Sequence, residues 1–182
     1  MFPRLTDPRP RRLLTSWERL AAALTTHRER QDKGGSLWSP TIYAAAATRG
    51  NGGVLALTAL PLDFDGVEPP WPLLEAWEYA AHTTHSHTPV APHWRVVLPL
   101  ARPVAVTAWP GVWGSARGLL APDADVACKD PARSYFLPSC RPGAARAARR
   151  GSGRWLDAAE LPTLPADGAA RATGVARGRR AG

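Results

Sequence analysis

A long apolar segment over 54–64 that ends in two aspartates is the feature that most limits how this chain folds. Its leucines and β-branched residues predict a buried strand, which closes in Leu62-Asp63-Phe64-Asp65-Gly66. Because side chains alternate along a strand, the Asp63 and Asp65 carboxylates share one face. Pro61 has no backbone N–H to donate, so it predicts a sheet edge or a bulge at that position.

Helical and strand patterns alternate along the rest of the chain. Thr15-Ser16-Trp17-Glu18 matches a capping box and predicts a helix that ends near 28–32. The remaining patterns predict helices over 73–77 and 107–120, the second capped by Thr107, and strands over 79–85, 93–100 and 134–137. This order predicts an α/β (α+β) domain built on a sheet.

The 182 residues suit one domain, and their net charge of +8 is unevenly placed. The chain after Cys140 contains nine arginines and three carboxylates, so most of the basic excess lies there. Clustered arginine is typical of proteins that bind phosphate-rich partners, and a solubilising tail is the alternative. We therefore divide the chain into a basic arm over 1–12, a domain over 13–150 and a basic, largely disordered tail over 151–182.

Cysteine content and hydropathy indicate the compartment. Only Cys128 and Cys140 are present, and the N-terminal residues lack the apolar segment of a signal peptide. No apolar run approaches the roughly 20 residues of a membrane-spanning helix. We expect a soluble, cytoplasmic protein with no membrane partner.

The two aspartates at the end of the long strand predict a metal site. Two like charges on one strand face repel each other unless a cation lies between them, and carboxylate oxygens suit Mg²⁺ or Mn²⁺ held together with substrate phosphates. The alternative for Asp63 and Asp65 is a solvated strand end that leads into a turn.

Four histidines fall within a short stretch: His82, His85, His87 and His93. A zinc site is disfavoured, because no cysteine is near and the spacing matches no common zinc pattern. His85 and His87 could be the paired metal ligands of a rolling-circle nuclease, but Ser86 stands where such enzymes have a bulky apolar residue. One histidine could instead donate to a nucleotide phosphate, or the group could form an ordinary polar loop.

A third polar cluster follows at 123–133. Asp125 comes just before Val126, and Lys129 and Arg133 are cations suited to phosphate. By itself this is an ordinary surface loop. Arg95, on the strand over 93–100, either contacts substrate or pairs with a carboxylate such as Glu75 or Glu78.

Three motifs occur in order, each beside a predicted strand. They are Leu62-Asp63-Phe64-Asp65-Gly66, then 83–88 with the strand and turn over 94–104, then Asp125 with 129–138. In this combination, which covers about 17–142, the chain resembles the archaeo-eukaryotic primase superfamily, and more closely the primase-polymerase-like domains of plasmid and phage replication proteins.

The resemblance implies an RRM-like catalytic core with a small N-terminal lobe. It implies that Asp63, Asp65 and Asp125, with Asp130 as the alternate third carboxylate, bind two Mg²⁺ or Mn²⁺ ions. It also implies a nucleotide site, for which His87 is our first choice of histidine and His85 the second, beside Ser86, and for which the candidate cations are Arg133, Lys129 and Arg95. The expected partners are a single-stranded DNA template, an NTP or dNTP and a replicative helicase supplied by another chain.

The expected activity is that of a DNA primase or primase-polymerase, a nucleotidyltransferase that makes or extends primers in plasmid or phage replication. One alternative is a replication initiator that keeps the fold and binds DNA without catalysis. A second is a rolling-circle nuclease that uses His85, His87 and a nucleophile such as Tyr135.

Overall fold

A mixed sheet with helices packed around it forms the body of the protein. The structure is a computed structural model that describes residues 1, 8–9, 11 and 14–162. The helices are α1 (Trp17–Leu24), α2 (Trp71–Leu74) and α3 (Trp109–Leu120). The strands are β1 (Arg28–Glu29), β2 (Leu37–Trp38), β3 (Thr41–Tyr43), β4 (Val54–Asp65), β5 (Glu78–Thr83), β6 (His93–Ala105), β7 (Tyr135–Phe136), β8 (Ser139–Cys140) and β9 (Ala148–Ser152).

The main sheet has five strands in the order β3-β4-β6-β5-β9, and all of its pairings are antiparallel. Two short ribbons lie outside it: β1 pairs with β8 in parallel, and β2 pairs with β7 antiparallel. Strands and helices are segregated rather than joined in parallel βαβ units, so the domain is α+β. This confirms the fold class expected from the sequence.

The register of the sheet creates one polar row. Asp63 of β4 lies opposite Arg95 of β6, Arg95 opposite His82 of β5, and His82 opposite Ala148 of β9. Residues in register share a face, which we call the site face. On the opposite face, the next row is buried and apolar over the three central strands, at Leu62, Val96 and Ala81, and it ends at the exposed Arg149 of β9. The sheet thus holds a charged row against a close-packed core.

Helix α1 begins within the predicted capping box, although its cap is Ser16 rather than Thr15, and it ends earlier than predicted. The Ser16 hydroxyl accepts the Arg19 N–H and so caps the helix. At the other end, the Thr25 and Thr26 hydroxyls donate to the carbonyls of the preceding turn. The helix therefore stops at Leu24 rather than near 28–32, and Arg28–Glu29 pairs with β8 instead.

Pro61 is accommodated where β4 has one strand neighbour. Strand β3 pairs with β4 no further along than Leu57, and Pro61 lies opposite Val97 of β6. The register irregularity is at Leu57/Ala59, upstream of the proline. Two other boundaries also differ from expectation: β6 continues through Arg102-Pro103 to Ala105, and α3 is preceded by Ala108 without a side-chain cap, so Thr107 does not cap it.

The chain beyond Arg141 is more ordered than its composition suggests. Strand β9 spans the expected boundary at 150, and Leu156, which is fully buried, bridges to Leu100 of β6. The segment expected as a tail therefore contributes to the sheet and the core as far as residue 162. The remainder of that tail, 163–182, and most of the expected basic arm lie outside the described residues.

Cys128 and Cys140 are both buried free thiols. Among the helices of the described residues, none has the length and apolar character needed to cross a membrane.

We expect Gly153→Ala to lower the free energy of unfolding by about 1–3 kcal/mol, because a Cβ at Gly153 would overlap the Ala76 backbone carbonyl. Gly114→Ala is the matched control, since a Cβ there meets nothing within 4 Å, and alanine favours the helix by up to about 1 kcal/mol. Urea unfolding of both variants measures the difference. Equal stability of the two variants would show that Gly153 is not packed against the Ala76 backbone.

Candidate active site

A cavity of about 120 Å³ opens on the site face. Its charged and titratable lining residues are Lys33, Asp63, Asp65, His82, His85, Arg95 and Arg133. Strands β4, β5 and β6 supply four of them, and loops supply Lys33, His85 and Arg133. The cavity therefore combines carboxylates with several cations, which suits a ligand that is anionic or is bound through a metal ion.

Asp63 is the most deeply held carboxylate of the cavity. Its side chain is 7% exposed and forms a bidentate pair with Arg95, with Nε–Oδ1 at 2.6 Å and Nη2–Oδ2 at 2.9 Å. Burial opposes ionisation, but the charge and hydrogen bonds of Arg95 together with the charge of Arg133 hold the pKa of Asp63 below its ordinary value. The third contact of Arg95, from Nη1 to the Phe136 carbonyl at 3.3 Å, fixes the guanidinium in place.

Asp125 joins Asp63 from a separate segment. The Asp125 N–H donates to the Asp63 carbonyl at 2.8 Å, and its side chain accepts the Ala127 N–H at the start of a 3₁₀ turn over Val126–Lys129. Arg133 Nη2 lies 3.4 Å from Oδ2 of Asp63 and 3.4 Å from Oδ2 of Asp125. A guanidinium nitrogen therefore occupies the space between two carboxylates.

Cys128 completes a group of three whose donor atoms lie within 4.8 Å of one another, with Asp63 and Asp125. Burial, together with the Asp63 charge, raises the pKa of the Cys128 thiol to about 12. In the absence of a metal the thiol therefore stays protonated at neutral pH, and as a soft ligand it suits Mg²⁺ or Mn²⁺ less well than a carboxylate does. The two carboxylates fit a hard cation such as Mg²⁺ or Mn²⁺, which would take the position now held by the Arg133 nitrogen.

Asp65 lies in the same cavity but pairs elsewhere. Its side chain is 61% exposed, and Oδ1 is 2.8 Å from Nδ1 of His93, its neighbour on β6. Asp63 and Asp65 thus share a face, as strand alternation requires.

The structure brings His85 rather than His87 to the cavity. His85 lines it, and its Nε2 lies 3.2 Å from the Arg30 carbonyl. His87 instead accepts the His93 N–H at Nδ1 and packs against Trp94. The chain turns after Thr84, where the His87 N–H bonds to the Thr84 carbonyl, so strand alternation no longer applies, and Ser86 is exposed between the two histidines.

Two further candidates from the third motif lie away from the cavity. The Asp130 side chain accepts the Ala132 N–H at 3.0 Å, and Lys129 is exposed, with its carbonyl accepting the Trp109 indole N–H. Neither side chain lines the cavity. Asp125, and not Asp130, meets Asp63.

Among the charged and titratable residues of the cavity wall, sequence analysis made no prediction for Lys33 and named His82 only as one of four clustered histidines. Lys33 precedes a Gly-Gly pair in the loop after β1, and that basic residue beside two glycines was the available signal. His82 is 1% exposed and lies in register with Arg95. Burial lowers the pKa of His82 well below its ordinary value, and the charges of Arg95 and His27 lower it further, so the ring is neutral.

This buried histidine predicts acid sensitivity. The folded pKa lies below the unfolded value of about 6.5, so stability is full above that value and falls as pH drops below it, by up to about 1.4 kcal/mol per pH unit. We expect His82→Leu to reduce this slope of stability against pH between pH 6.5 and 5. Burial also lowers the pKa of His27, so we expect His27 to account for part of the slope that remains in the variant. Urea unfolding at several pH values measures the slope; an unchanged slope in the variant would contradict the prediction.

Comparison with solved structures finds a similarity of fold. The fold is similar to the AEP domain of the cyanophage S-2L primase-polymerase (PrimPol), with a TM-score of 0.48 and 18% sequence identity over 63% of this chain. The match spans 65% of that chain, less than two thirds of its length. No protein-family model and no curated protein matches this sequence.

Proposed function

We propose that this protein is a metal-dependent nucleotidyltransferase of the primase-polymerase type, which joins nucleotides on a single-stranded DNA template. The observation that carries the proposal is the meeting of two carboxylates from separate segments, Asp63 and Asp125, beside a cavity lined by cations. The ordered motifs of the sequence support the same activity.

The residues fit that chemistry in distinct roles. A divalent ion bound at Asp63 and Asp125 would supply charge stabilisation for the attacking and leaving oxygens of nucleotidyl transfer. Arg95 uses its nitrogens on Asp63 and the Phe136 carbonyl, so it positions Asp63 rather than binding substrate. Arg133 makes two long contacts of 3.4 Å and is therefore the cation free to move to a phosphate when metal arrives.

Two further cavity residues suit the triphosphate. His85 and Lys33 lie on the cavity wall and carry donors without a carboxylate partner among residues 14–162. Donors near the leaving pyrophosphate stabilise the charge that develops there. We therefore assign the nucleotide phosphates to His85, Lys33 and Arg133, and Asp65 to a second metal position near the cavity mouth.

A primer-synthesis and extension assay tests the proposal. The full chain is incubated with single-stranded DNA, labelled NTPs or dNTPs, and Mg²⁺ or Mn²⁺, with EDTA as the control. We expect incorporation that requires the metal. Absence of incorporation with either metal and both nucleotide sets would overturn the proposal.

A binding-only initiator is the second candidate, and one observation favours it. Arg95 and Arg133 already neutralise Asp63, so the carboxylates do not need a cation to be stable. In the same assay, tight and salt-dependent DNA binding without incorporation would select this candidate.

The rolling-circle nuclease finds no such support. Tyr135 is 2% exposed, and burial raises its pKa well above the ordinary value. Arg95 covers its ring, with the guanidinium carbon 4.6 Å from the ring centroid. A nucleophile must reach the DNA phosphate, and this hydroxyl group is enclosed. The two histidines also lie in different places, since His85 lines the cavity and His87 packs against Trp94.

A further inference from the structure

The outer strand of the sheet carries a concentration of positive charge. The segment 141–156 contains five arginines and no carboxylate. Strand β9 pairs with β5 along one edge, and no described strand pairs with its other edge. Its burial pattern is almost entirely exposed. This edge therefore offers arginine side chains and backbone donors to a polyanion.

One cluster on this edge combines an arginine with an exposed tryptophan. Glu78 Oε1 accepts both the Trp17 indole N–H at 2.6 Å and Arg150 Nη2 at 3.3 Å. The Trp17 ring meets the edge of Trp155, with ring centroids 6.3 Å apart. Trp155 is 45% exposed, so part of its large aromatic ring faces solvent. Arg150 and Trp155 are thus linked through Glu78 and Trp17, which contact each other.

The Arg150 side chain retains donors for a ligand. It is 44% exposed, and its contact with Glu78 uses one nitrogen. A guanidinium has five N–H donors, so the contact with Glu78 leaves others for a ligand.

The cluster lies on the same side of the sheet as the cavity. Ala148 of β9 is in register with His82, Arg95 and Asp63, and Arg150 is two residues further along β9. Residues two apart on a strand share a face, so Arg150 points to the site face. Three interstrand steps of about 4.8 Å separate β9 from β4, which places Arg150 roughly 15 Å from Asp63. Helix α1 packs on β5 on this face, where its Trp17 bonds to Glu78, so a single strand of nucleic acid that reaches both places would pass over or beside α1.

We propose that Trp155 and Arg150 form a contact site for single-stranded DNA, with Trp155 stacking on an unpaired base and Arg150 binding an adjacent phosphate. The proposal rests on the proposed function, because it places the template strand on the face that bears the cavity. An exposed indole offers every base a flat surface, and an adjacent cation binds the backbone. A second copy of this chain is a poorer occupant, because two arginine-rich edges repel each other.

The test uses the full chain in EDTA, so that binding is measured apart from catalysis. Fluorescence anisotropy with a labelled oligodeoxythymidylate gives the affinity at several salt concentrations. We expect Trp155→Ala to weaken binding about tenfold and Trp155→Phe to retain most of it, because an aromatic face remains. We expect Arg150→Ala to reduce the slope of log affinity against log salt by about one.

Arg149→Ala is the matched control. Arg149 is the neighbouring residue on β9, but its side chain is on the opposite face, with the guanidinium carbon 4.3 Å from the Trp71 ring centroid. We expect this variant to keep its affinity within about twofold. Unchanged binding in Trp155→Ala, or an equal loss in Arg149→Ala, would overturn the proposal.

Two comparisons keep this result separate from the proposed function. A DNA hairpin with no unpaired overhang should bind more weakly than the single strand, and Trp155→Ala should not change its affinity. An equal loss of affinity for the hairpin and the single strand in Trp155→Ala would overturn base stacking. If Trp155→Ala and Arg150→Ala weaken binding while the wild-type chain incorporates no nucleotide, the contact site stands and the nucleotidyltransferase proposal fails. If incorporation occurs and neither variant affects binding, the nucleotidyltransferase proposal stands and the contact site fails.

Discussion

Asp63→Asn is expected to lower the free energy of unfolding by about 3–5 kcal/mol, because it leaves the Arg95 guanidinium buried without its counter-charge. The Arg95 side chain is 12% exposed, so water replaces little of the lost interaction. Urea unfolding at pH 7 measures the loss. A cost below about 1 kcal/mol would show that the pair is not buried as described.

The pH dependence of the same variant provides a second readout. The pKa of Asp63 is depressed in the folded state, so its contribution is fully present above the unfolded value of about 3.9 and is lost as pH falls below it. The difference in stability between wild type and Asp63→Asn should therefore shrink on acidification below about pH 4. The double variant Asp63→Leu, Arg95→Met is the control, since removing both charges should recover much of the stability that the single change loses.

Asp125→Asn is expected to reduce metal-dependent nucleotide incorporation at least about a hundredfold, because the metal loses one of its two charged ligands. A bound metal stabilises the charge of the transition state by several kcal/mol, and the variant loses part of this stabilisation. Folding should be little affected. The asparagine oxygen still accepts the Ala127 N–H, and the main-chain bond from residue 125 to the Asp63 carbonyl does not depend on the side chain. Single-nucleotide primer extension measures the rate, and thermal unfolding measures the fold.

Asp130→Asn is the matched control for that experiment. Asp130 also accepts a backbone N–H two residues ahead, from Ala132, but unlike Asp125 it does not belong to the donor group of Asp63 and Cys128. Incorporation should stay within about twofold of the wild type. Retained activity in Asp125→Asn, or loss in Asp130→Asn, would mean that the carboxylates have been assigned to the wrong roles. Mn²⁺ binding followed by electron paramagnetic resonance provides a readout that does not depend on turnover.

Local rules predicted the elements that depend on local chemistry. The strand ending in Asp63 and Asp65 follows from alternation, and the start of α1 close to Thr15-Ser16 follows from hydrogen-bonding groups within a few residues. The end of α1 did not, because two threonine hydroxyls and the pairing of Arg28 with Ser139 compete with the helix. Pairing with a distant strand is invisible in a short window of sequence.

For the candidate site, too, some residues were predicted from the sequence and others were decided by the fold. The family resemblance carried by the three motifs implied that Asp63 and Asp125 belong together, and the structure brings their side chains within reach of Arg133. The choice between His85 and His87 was decided by a turn, since the chain leaves the strand before either histidine. Arg95 was expected to contact substrate or to pair with Glu75 or Glu78, and the register places it on Asp63 instead.

By itself, the sequence determined an α+β domain, the strand that presents two carboxylates to one face, and the residue types available for phosphate and metal. Only the tertiary structure decided which charges meet: Arg95 on Asp63, Arg133 between two carboxylates, and, at the edge of the sheet, Arg150 of β9 on Glu78. The physical reason is that composition and periodicity set what each segment can bury, whereas cross-strand register between distant segments sets which side chains come within a few ångströms of one another.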